Sequence, residues 1–351
     1  MYQNNIYKEC PRCGKKGECC YLCHDCMQDL SGDGFKLQRE FYDNGCTIVI
    51  PTWNCEDTIV RCLKSISKAF PNGVKLEIIF IDKESTDATI DDIDFIMSTE
   101  ELSKIPYRIM TETGKLGKAR LEGIEHAKYK TIFWLDSDIV LPENYIDKLF
   151  AYVERLHDNK KIPLLTNIYG LQGWMDCRDG TDKKKELWHK WWNGFERGNF
   201  NRYGYNLGCP TANLLVLNDY KLTFKEKQEL SELSSQEDNY LGKKVRSMGY
   251  EMYVMDIPTL HLKFDQKRAK DNQDYEILWL LVGEKGIHGS KIKALWHFKW
   301  VLFRGLRAWQ IYPELKLLKL TLKIYLNAIR AVLIKDEKIV SQERLTELKD
   351  W

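Results

Sequence analysis

The chain has 351 residues, of which 44% are hydrophobic and 30% charged, the balance of a globular protein. Its formal net charge of +2 does not imply the strong attraction for nucleic acid that a basic protein shows. The N-terminus has no basic segment followed by an apolar one, and no run reaches about 18 uncharged apolar residues. We therefore expect neither a secretory signal nor a membrane span, and a cytoplasmic protein.

The cysteines are clustered, since six of the eleven lie between Cys10 and Cys26. Such clustering favours a metal site in a reducing compartment over the disulfides of a secreted chain. Two Cys-x2-Cys pairs could place four thiolates around one tetrahedral Zn²⁺. The predicted ligands are Cys10, Cys13, Cys23 and Cys26, with Cys20 as an alternative ligand. The segment resembles a small zinc ribbon over residues 1–30, and surface cysteines without metal are the alternative.

The pattern of the chain changes at Cys46. Residues 31–45 are polar and contain glycine, which predicts a linker. From Cys46 onward, apolar runs alternate with helical periods, which is typical of a mainly parallel α/β sheet covered on both faces. Strands are expected at 47–50, 76–82, 107–110, 131–135 and 251–256, and helices at 57–70, 87–97 and 119–127. Ser85 and Thr86 are placed to cap the second of these helices.

Two aspartates, Asp136 and Asp138, follow the most hydrophobic strand. Ligands gather beyond the carboxyl ends of strands in such sheets, so Asp82, Asp136 and Asp138 are expected at one edge. Neighbouring carboxylates repel each other, and Mg²⁺ or Mn²⁺ prefers such oxygen ligands together with substrate phosphates. The pair therefore indicates a site for a divalent cation and a diphosphate. The alternative is that both carboxylates only cap the turn before Pro142.

Four segments, in order, resemble the motifs of family 2 glycosyltransferases of GT-A fold. They are TIVIPTWNCEDTIVRCLKSI, LEIIFIDKESTDATI, GKLGKARLEGIEHAKYKTIFWLDSDIVLPENYIDKL and SSQEDNYLGKKVRSMGYEMYVMD. The resemblance implies a nucleotide-diphospho-sugar transferase fold, a Rossmann-like mixed sheet flanked by helices, over residues 46–265. It also implies an inverting, metal-dependent transfer of a sugar to an acceptor hydroxyl. We expect the acceptor to be a glycan or, given the C-terminal helices described below, a lipid-linked molecule.

The resemblance further implies the residues of the site. Asp238 would be the base, since an inverting single displacement needs only one. Asp136 and Asp138 would hold Mn²⁺ or Mg²⁺, with His261 as a further ligand or as a packed histidine. Nucleotide-sugar contacts are implied for Pro51, Thr52, Trp53, Glu56, Asp82, Lys115, Arg120, Asp136, Ser137, Asp138 and Glu237.

Structural alternatives stand beside some of these roles. Arg120 could be an ordinary exposed cation of a helix. Glu237 and Asp238 could be an acidic pair that complements the dipole of the helix that follows. The nucleobase stays open, because this chain has Lys83 and Glu84 where many family members have Asp and Gly.

The C-terminal part differs in composition from the rest. From Lys291 to Lys335 there are ten Lys/Arg and the single acid Glu314, and Pro313 divides the stretch into two predicted helices. Cations interleaved with aromatic residues and leucines are typical of helices on an anionic membrane surface. Packing on the catalytic domain and a homodimer interface are the alternatives. We expect residues 266–351 to form a helical region that places the protein on the cytoplasmic membrane face.

A second function class is a nucleic-acid-binding zinc-ribbon protein with a non-catalytic α/β domain. It would account for the cysteines and the basic C-terminus. It would not account for carboxylates at the sheet edge, because acids there repel phosphate unless a metal intervenes. We therefore expect an enzyme and no nucleic-acid partner.

Overall fold

The structure, a computed structural model, divides into two compact units. One comprises residues 1–173 and 202–259, and the other comprises residues 174–201 and 260–351. The residues that the structure describes are 7–9, 16–19, 36–158, 168–176, 212–233, 237–262, 299–311 and 313–334. The predicted zinc ligands (Cys10, Cys13, Cys20, Cys23 and Cys26) lie outside them, so the zinc site stays a prediction.

Strands and helices alternate along the described residues of the two units. The strands are β1 (Tyr7–Glu9), β2 (Lys16–Cys19), β3 (Cys46–Thr52), β4 (Leu76–Asp82), β5 (Tyr107–Thr111), β6 (Thr131–Leu135), β7 (Ile139–Val140), β8 (Ile168–Asp176), β9 (Asn213–Leu217) and β10 (Glu251–His261). The helices are α1 (Lys36–Arg39), a π-helical turn (Glu40–Asn44), α2 (Glu56–Ala69), α3 (Thr89–Met97), α4 (Leu116–His126), α5 (Tyr145–Asp158), α6 (Phe224–Ser231), α7 (Glu237–Ser247), α8 (Lys299–Ile311) and α9 (Leu315–Ile334).

An eight-stranded mixed sheet organises the described residues, in the order β5-β4-β3-β6-β9-β8-β10-β7. Strands β5, β4, β3 and β6 are parallel, whereas β9 pairs antiparallel with β6 and with β8. The central strand β6 is buried along its whole length, as its continuous apolar sequence predicts. The predicted α/β class is confirmed, and the parallel half brings the carboxyl ends of four strands to one edge.

Residues 36–44 differ from the predicted linker, because they are helical and packed. Leu37 and Phe41 are fully buried, one helical turn apart. The ring centroid of Phe41 lies 5.7 Å from that of Phe150 and 6.2 Å from that of Phe70. Two apolar side chains therefore attach a mostly polar segment to the core.

Helix α4 approaches its neighbours closely at two glycines. A Cβ on Gly117 would lie 1.9 Å from the carbonyl oxygen of Leu230, and Gly117 N donates to the carbonyl oxygen of Leu233 at 2.8 Å. A Cβ on Gly123 would lie 2.8 Å from atoms of both Trp134 and Val49. These contacts fix α4 against the end of α6 and against β3 and β6.

The second unit contains α8 and α9, which are separated at Pro313 as the sequence predicts. Among the helices that the structure describes, none combines the length and the apolar character needed to cross a bilayer.

We expect Gly117→Ala to lower the free energy of unfolding by about 1–3 kcal/mol, because the new methyl group overlaps a backbone oxygen. Urea unfolding followed by circular dichroism measures this change. Gly242→Ala in α7 is the matched control, since its Cβ would first meet the flexible end of Met252 at 3.3 Å. The control should be neutral or stabilising by up to about 1 kcal/mol; equal losses in both variants would contradict the close-approach argument.

Candidate active site

The carboxyl ends of the parallel strands bring together several predicted site residues. Thr52 ends β3 directly beside Asp82, which ends β4. Asp136 follows the last residue of β6, which is the other neighbour of β3. Pro51 lies in β3, one residue before its end. The sheet edge thus carries the residues that the alternation of strands and helices places there.

Asp82 is a buried hydrogen-bond acceptor that fixes a loop. Its Oδ1 accepts from the hydroxyls of Thr52 at 2.8 Å and Ser85 at 2.7 Å, and its Oδ2 accepts from Ser85 N at 2.8 Å. Only 4% of Asp82 is exposed. These bonds occupy much of the carboxylate, so Asp82 shapes the loop in addition to any contact with a ligand.

The prediction that Ser85 and Thr86 cap α3 is wrong. The helix begins at Thr89, and its N-cap residue is Ala88. Ser85 instead binds Asp82, and Thr86 N donates to the side-chain oxygen of Asn54 at 2.8 Å. Tertiary hydrogen bonds have replaced the local capping that these residue types favour.

The loops after β3 and β4 are bonded to each other. Asn54 N donates to the Ser85 hydroxyl at 3.0 Å, and Ala88 N donates to the Glu56 carboxylate at 2.9 Å. Glu56 N donates in turn to Asp87 at 3.2 Å. Sequence reasoning missed Asn54, Ser85 and Asp87 as parts of this arrangement; their only local signal was a loop rich in small polar side chains. Glu56, implied as a nucleotide contact, joins the two loops.

Trp53 presents an exposed aromatic ring beside these loops, with 43% of its surface accessible. The ammonium of Lys83 lies 5.3 Å from the centroid of that ring, within the range of a cation–π contact. Lys83 occupies the position at which the chain departs from the pattern of the family it resembles. The ring and the cation together offer a flat surface and a positive charge beside the loops after β3 and β4.

Arg120 is the feature of the site that sequence reasoning described least well. It is 1% exposed, which excludes the alternative of an exposed helix cation. Its Nη2 donates to Asp136 Oδ1 at 2.8 Å, and its Nε lies 3.9 Å from Glu237 Oε1. The guanidinium carbon lies 5.1 Å from the centroid of the Trp134 ring. One buried cation therefore joins the end of β6 to the first residue of α7.

Glu237 is almost as buried as Arg120, with 5% of its surface exposed. Burial and, to a smaller extent, the nearby charge of Asp238 together raise the pKa of Glu237 from 4.5 to about 7, although Arg120 opposes the shift. Glu237 and Asp238 both lie in the first turn of α7, as expected if the acidic pair complements the helix dipole. That role alone does not account for the ion pair that Glu237 makes with a buried arginine.

The turn that carries Asp136, Ser137 and Asp138 is fixed by hydrogen bonds to residues Ala212 and Cys62. Asp136 N donates to the carbonyl oxygen of Ala212 at 2.9 Å, and the buried Cys62 thiol donates to the Asp136 carbonyl oxygen at 3.6 Å. Burial raises the pKa of the Cys62 thiol well above its usual value, and the charges of Asp138 and Asp136 add to that effect.

This turn offers a partial ligand set for a hard cation. Asp136 and Asp138 are both partly accessible, and Oδ1 of Asp136 is shared with Arg120. Within the part of the chain that the structure describes, no cluster of three or more His, Cys, Asp or Glu side chains is arranged around a common point. Two carboxylates fit Mg²⁺ or Mn²⁺, which commonly takes its other ligands from water and substrate phosphates.

The remaining predicted residues lie at element ends. Asp238 is the second residue of α7 and is partly accessible. Lys115 precedes α4, and its ammonium pairs with Glu232 at 2.8 Å. His261 is the last residue of β10, which runs five residues beyond the predicted strand end at 256. For His261 the assignment as a metal ligand stays a prediction.

Comparison with known families identifies the kind of domain that contains this sheet edge. Residues 47–215 match the family model described as Glycosyl transferase family 2. The chain carries a family 2 glycosyltransferase domain. This family has the GT-A fold that the four motifs imply, and the match includes Asp82, Arg120, Asp136 and Asp138.

The chain is similar to parts of larger curated proteins. It is 25% identical over 127 residues to poly(ribitol-phosphate) beta-N-acetylglucosaminyltransferase TarS of Staphylococcus aureus, covering 36% of this chain and 21% of that protein. It is 34% identical over 129 residues to poly(ribitol-phosphate) beta-glucosyltransferase of Bacillus spizizenii, covering 36% of this chain and 19% of that protein. The match therefore spans about a fifth of each of these relatives.

Two solved structures of glycosyltransferases have distant similarity to this chain. Crystalline S. aureus TarS 1-349 in complex with UDP-GlcNAc has a TM-score of 0.44 and 16% identity, and the match covers 86% of this chain and 83% of that one. Mannosyltransferase PcManGT from Pyrobaculum calidifontis, in complex with GDP-Man and Mn²⁺, has a TM-score of 0.42 and 16% identity, with coverages of 89% and 88%.

Removing the buried arginine should cost much more stability than removing an exposed cation. Arg120→Met is expected to lower the free energy of unfolding by about 3–5 kcal/mol at slightly alkaline pH, because Glu237 is left buried without its compensating charge. Lys227→Met is the control, since Lys227 pairs with Glu125 at 2.8 Å on the exposed surface and should contribute about 0–1 kcal/mol. Denaturant unfolding measures both.

Adding Glu237→Gln to Arg120→Met should recover much of the loss, since the uncompensated carboxylate is removed. If Arg120→Met costs no more than the Lys227 control, or if the double variant is as unstable as the two changes added together, the buried pair does not carry the stability assigned to it.

Glu237 should make stability depend on pH in a defined direction. Its pKa is about 7 in the folded chain and about 4.5 when unfolded. A raised carboxyl pKa means that the folded state holds the proton more tightly, so this contribution is complete below about pH 4.5 and is lost as the pH rises through about 7. The Tm of Glu237→Gln relative to the unmodified protein should therefore increase from about pH 5 to 8. A constant difference over that range would contradict the buried carboxyl.

Proposed function

We propose that this chain transfers a sugar from a nucleotide-diphospho-sugar to an acceptor hydroxyl, with inversion at the anomeric carbon. The observation that carries the proposal is the Arg120 bridge: it holds Asp136, at the donor end of the sheet, against Glu237, the neighbour of Asp238. With Asp238 as the base and Asp136 at the diphosphate site, the two groups would lie on segments that Arg120 connects. This is the arrangement that a direct displacement needs, because the acceptor and the leaving group both contact the same carbon.

The nucleotide would lie over the bonded loops after β3 and β4. Thr52 and Asp82 close the floor of this region, and the exposed ring of Trp53 offers a face for a base or a ribose. Lys83 adds a positive charge that attracts the donor's phosphates or a base carbonyl. The mutual hydrogen bonds of the loops keep this surface ordered before a donor arrives.

Asp136 and Asp138 would hold the divalent cation, which stays a proposal for this chain. The relatives support it to the extent that PcManGT was solved with GDP-Man and Mn²⁺. When bound, such a cation neutralises charge on the diphosphate as it leaves. Arg120 contributes to the same end from the protein side, since its guanidinium reduces the repulsion between the two aspartates and an incoming diphosphate.

Asp238 would act as the general base. The acceptor oxygen forms a bond to the anomeric carbon while the bond from that carbon to the diphosphate oxygen breaks, and the hydroxyl proton passes to the Asp238 carboxylate. The buried Glu237 orients the start of α7 through its ion pair with Arg120. A nucleophile on the opposite face is not required for an inverting reaction.

The acceptor is proposed to be a hydroxyl of a cell-surface glycan or polymer, or of its lipid-linked precursor. The support is that two similar proteins are named for transfer to poly(ribitol-phosphate). Their matches cover 36% of this chain and about a fifth of each relative, so the identity of the polymer is left to a screen of acceptors.

We expect turnover of one nucleotide sugar in a hydrolysis and transfer screen of UDP-, GDP- and dTDP-sugars with Mn²⁺ or Mg²⁺. Asp238→Asn should lower kcat by about 10²- to 10⁴-fold while thermal stabilisation by the donor is retained, because the base is lost and the binding surface is not. Asp138→Ala should lose turnover and stabilisation by the donor together.

The matched control is Asp94→Asn on the exposed surface of α3, where the carboxylate only accepts a hydrogen bond from Tyr107. It should leave turnover unchanged. Full activity of Asp238→Asn would remove Asp238 from the role of base, and turnover unaffected by a chelator would remove the cation from the mechanism.

A further inference from the structure

Helices α8 and α9 pack against each other through small side chains. A Cβ on Gly305 would lie 2.0 Å from the hydroxyl oxygen of Thr321, so the two backbones approach closely at this point. Ala308 and Leu317 are fully buried. The helix pair therefore has an internal contact face of its own.

Both helices also expose large apolar side chains, which we call the apolar face. Its members are Phe303 (46% exposed), Leu306 (52%), Trp309 (39%), Leu315 (66%), Leu322 (53%) and Leu326 (54%). On α9 the three leucines recur at spacings of seven and four, which forms one stripe along a helix. This stripe lies on the side of α9 away from Leu317 and Thr321. Six large apolar side chains are thus exposed on one helix pair, more than the single surface leucines that need no explanation.

The sequence of both helices is rich in cations. Residues 299–334 contain seven Lys/Arg (Lys299, Arg304, Arg307, Lys316, Lys319, Lys323 and Arg330) and one acid, Glu314. Lys319 lies within the leucine stripe of α9, and Lys316 is exposed beside it. The helix pair thus combines apolar side chains with a strong excess of positive charge.

We propose that the apolar face of α8 and α9 docks on the surface of an anionic lipid bilayer. Leucine and tryptophan enter the boundary between headgroups and acyl chains, and lysine stems let the ammonium groups stay at the level of anionic headgroups. Each cation near such a surface adds to the attraction, and each buried CH₂ adds to it independently. Four cations within α9 favour this position at the interface over the bilayer centre.

Charge complementarity selects lipid over the two other occupants. A second copy of the chain would bring an equally cationic helix pair into contact with this one, and like charges oppose that contact. A nucleic acid would satisfy the cations and leave the leucines in water. An anionic bilayer satisfies both features with one surface.

This inference goes beyond the proposed sugar transfer and does not depend on it. It explains the localisation expected from the sequence, at the cytoplasmic face of a membrane, by a physical contact. A lipid-linked acceptor would then be presented at the same surface. Failure of the transfer assays would leave the docking experiment unaffected, because flotation needs no donor or acceptor.

The test is flotation of the full chain with vesicles of phosphatidylcholine alone and with vesicles that also contain phosphatidylglycerol. We expect binding to the anionic vesicles, weaker binding to the neutral ones, and loss of binding at high salt. Two double variants, Leu322→Gln with Leu326→Gln and Lys316→Gln with Lys319→Gln, should each weaken binding about tenfold or more. Unchanged circular dichroism and Tm show that the variants fold.

The matched controls are Phe95→Gln and Phe224→Gln, which remove apolar side chains that are 67% and 77% exposed in the other unit. They should leave flotation unchanged. The proposal would be overturned if the chain bound neutral vesicles equally well, or if the controls lost binding equally. It would also be overturned if the chain did not float and instead formed a dimer that the leucine variant dissociates; this result would assign the face to a second copy. If the full chain bound an immobilised oligonucleotide and did not float with vesicles, the face would be assigned to nucleic acid instead.

Discussion

A buried guanidinium is the constraint on which the rest of the site depends. Moving a charge of this kind out of water costs several kcal/mol unless other charges and hydrogen bonds compensate for it. For Arg120 the compensation comes from Asp136 after β6 and from Glu237 at the start of α7. These two segments are about a hundred residues apart in the chain. Both contacts favour the buried position of the cation, and together they connect the end of β6 to the start of α7.

The glycines of α4 and the ring of Trp134 make this burial geometrically possible. Gly117 and Gly123 allow the helix backbone to approach α6 and the sheet more closely than any residue with a Cβ would. Arg120 lies between them in the sequence, and its guanidinium rests over the Trp134 ring. A short apolar strand, a close helix and one cation thus form a single unit. The most hydrophobic strand, β6, thus carries both the Trp134 ring that packs on Arg120 and, directly after its end, the Asp136 carboxylate that Arg120 binds.

Much of this arrangement could be predicted from the sequence, and the reason is periodicity. Continuous apolar strands alternating with amphipathic helices specify a mainly parallel sheet, and a parallel sheet places Thr52, Asp82 and Asp136 at one edge. The burial of Arg120 could not be predicted in this way. A cation on a helix is exposed by default, and its partners lie on two other segments, so no local pattern carries the information.

The loops were harder to predict for the same reason. Ser85 and Thr86 precede a helix and favour capping by residue type, yet Asp82 and Asn54 compete for them through contacts between loops. Residues 36–44 look polar on average, and their attachment depends on Leu37 and Phe41 alone. Average composition describes a segment well only when no single side chain dominates its packing. Here one or two apolar side chains decide the outcome.

The thiol beneath the aspartate turn has a consequence for how the turn can be observed in solution. Cys62 has no exposed surface, and its sulfur donates to the Asp136 carbonyl oxygen. With its pKa raised, it stays in the unreactive protonated form. An alkylating reagent can reach this sulfur only when residues that cover it, such as the aspartate turn, move away. The rate of alkylation at Cys62 therefore reports how often this part of the protein opens, with no label introduced near the carboxylates.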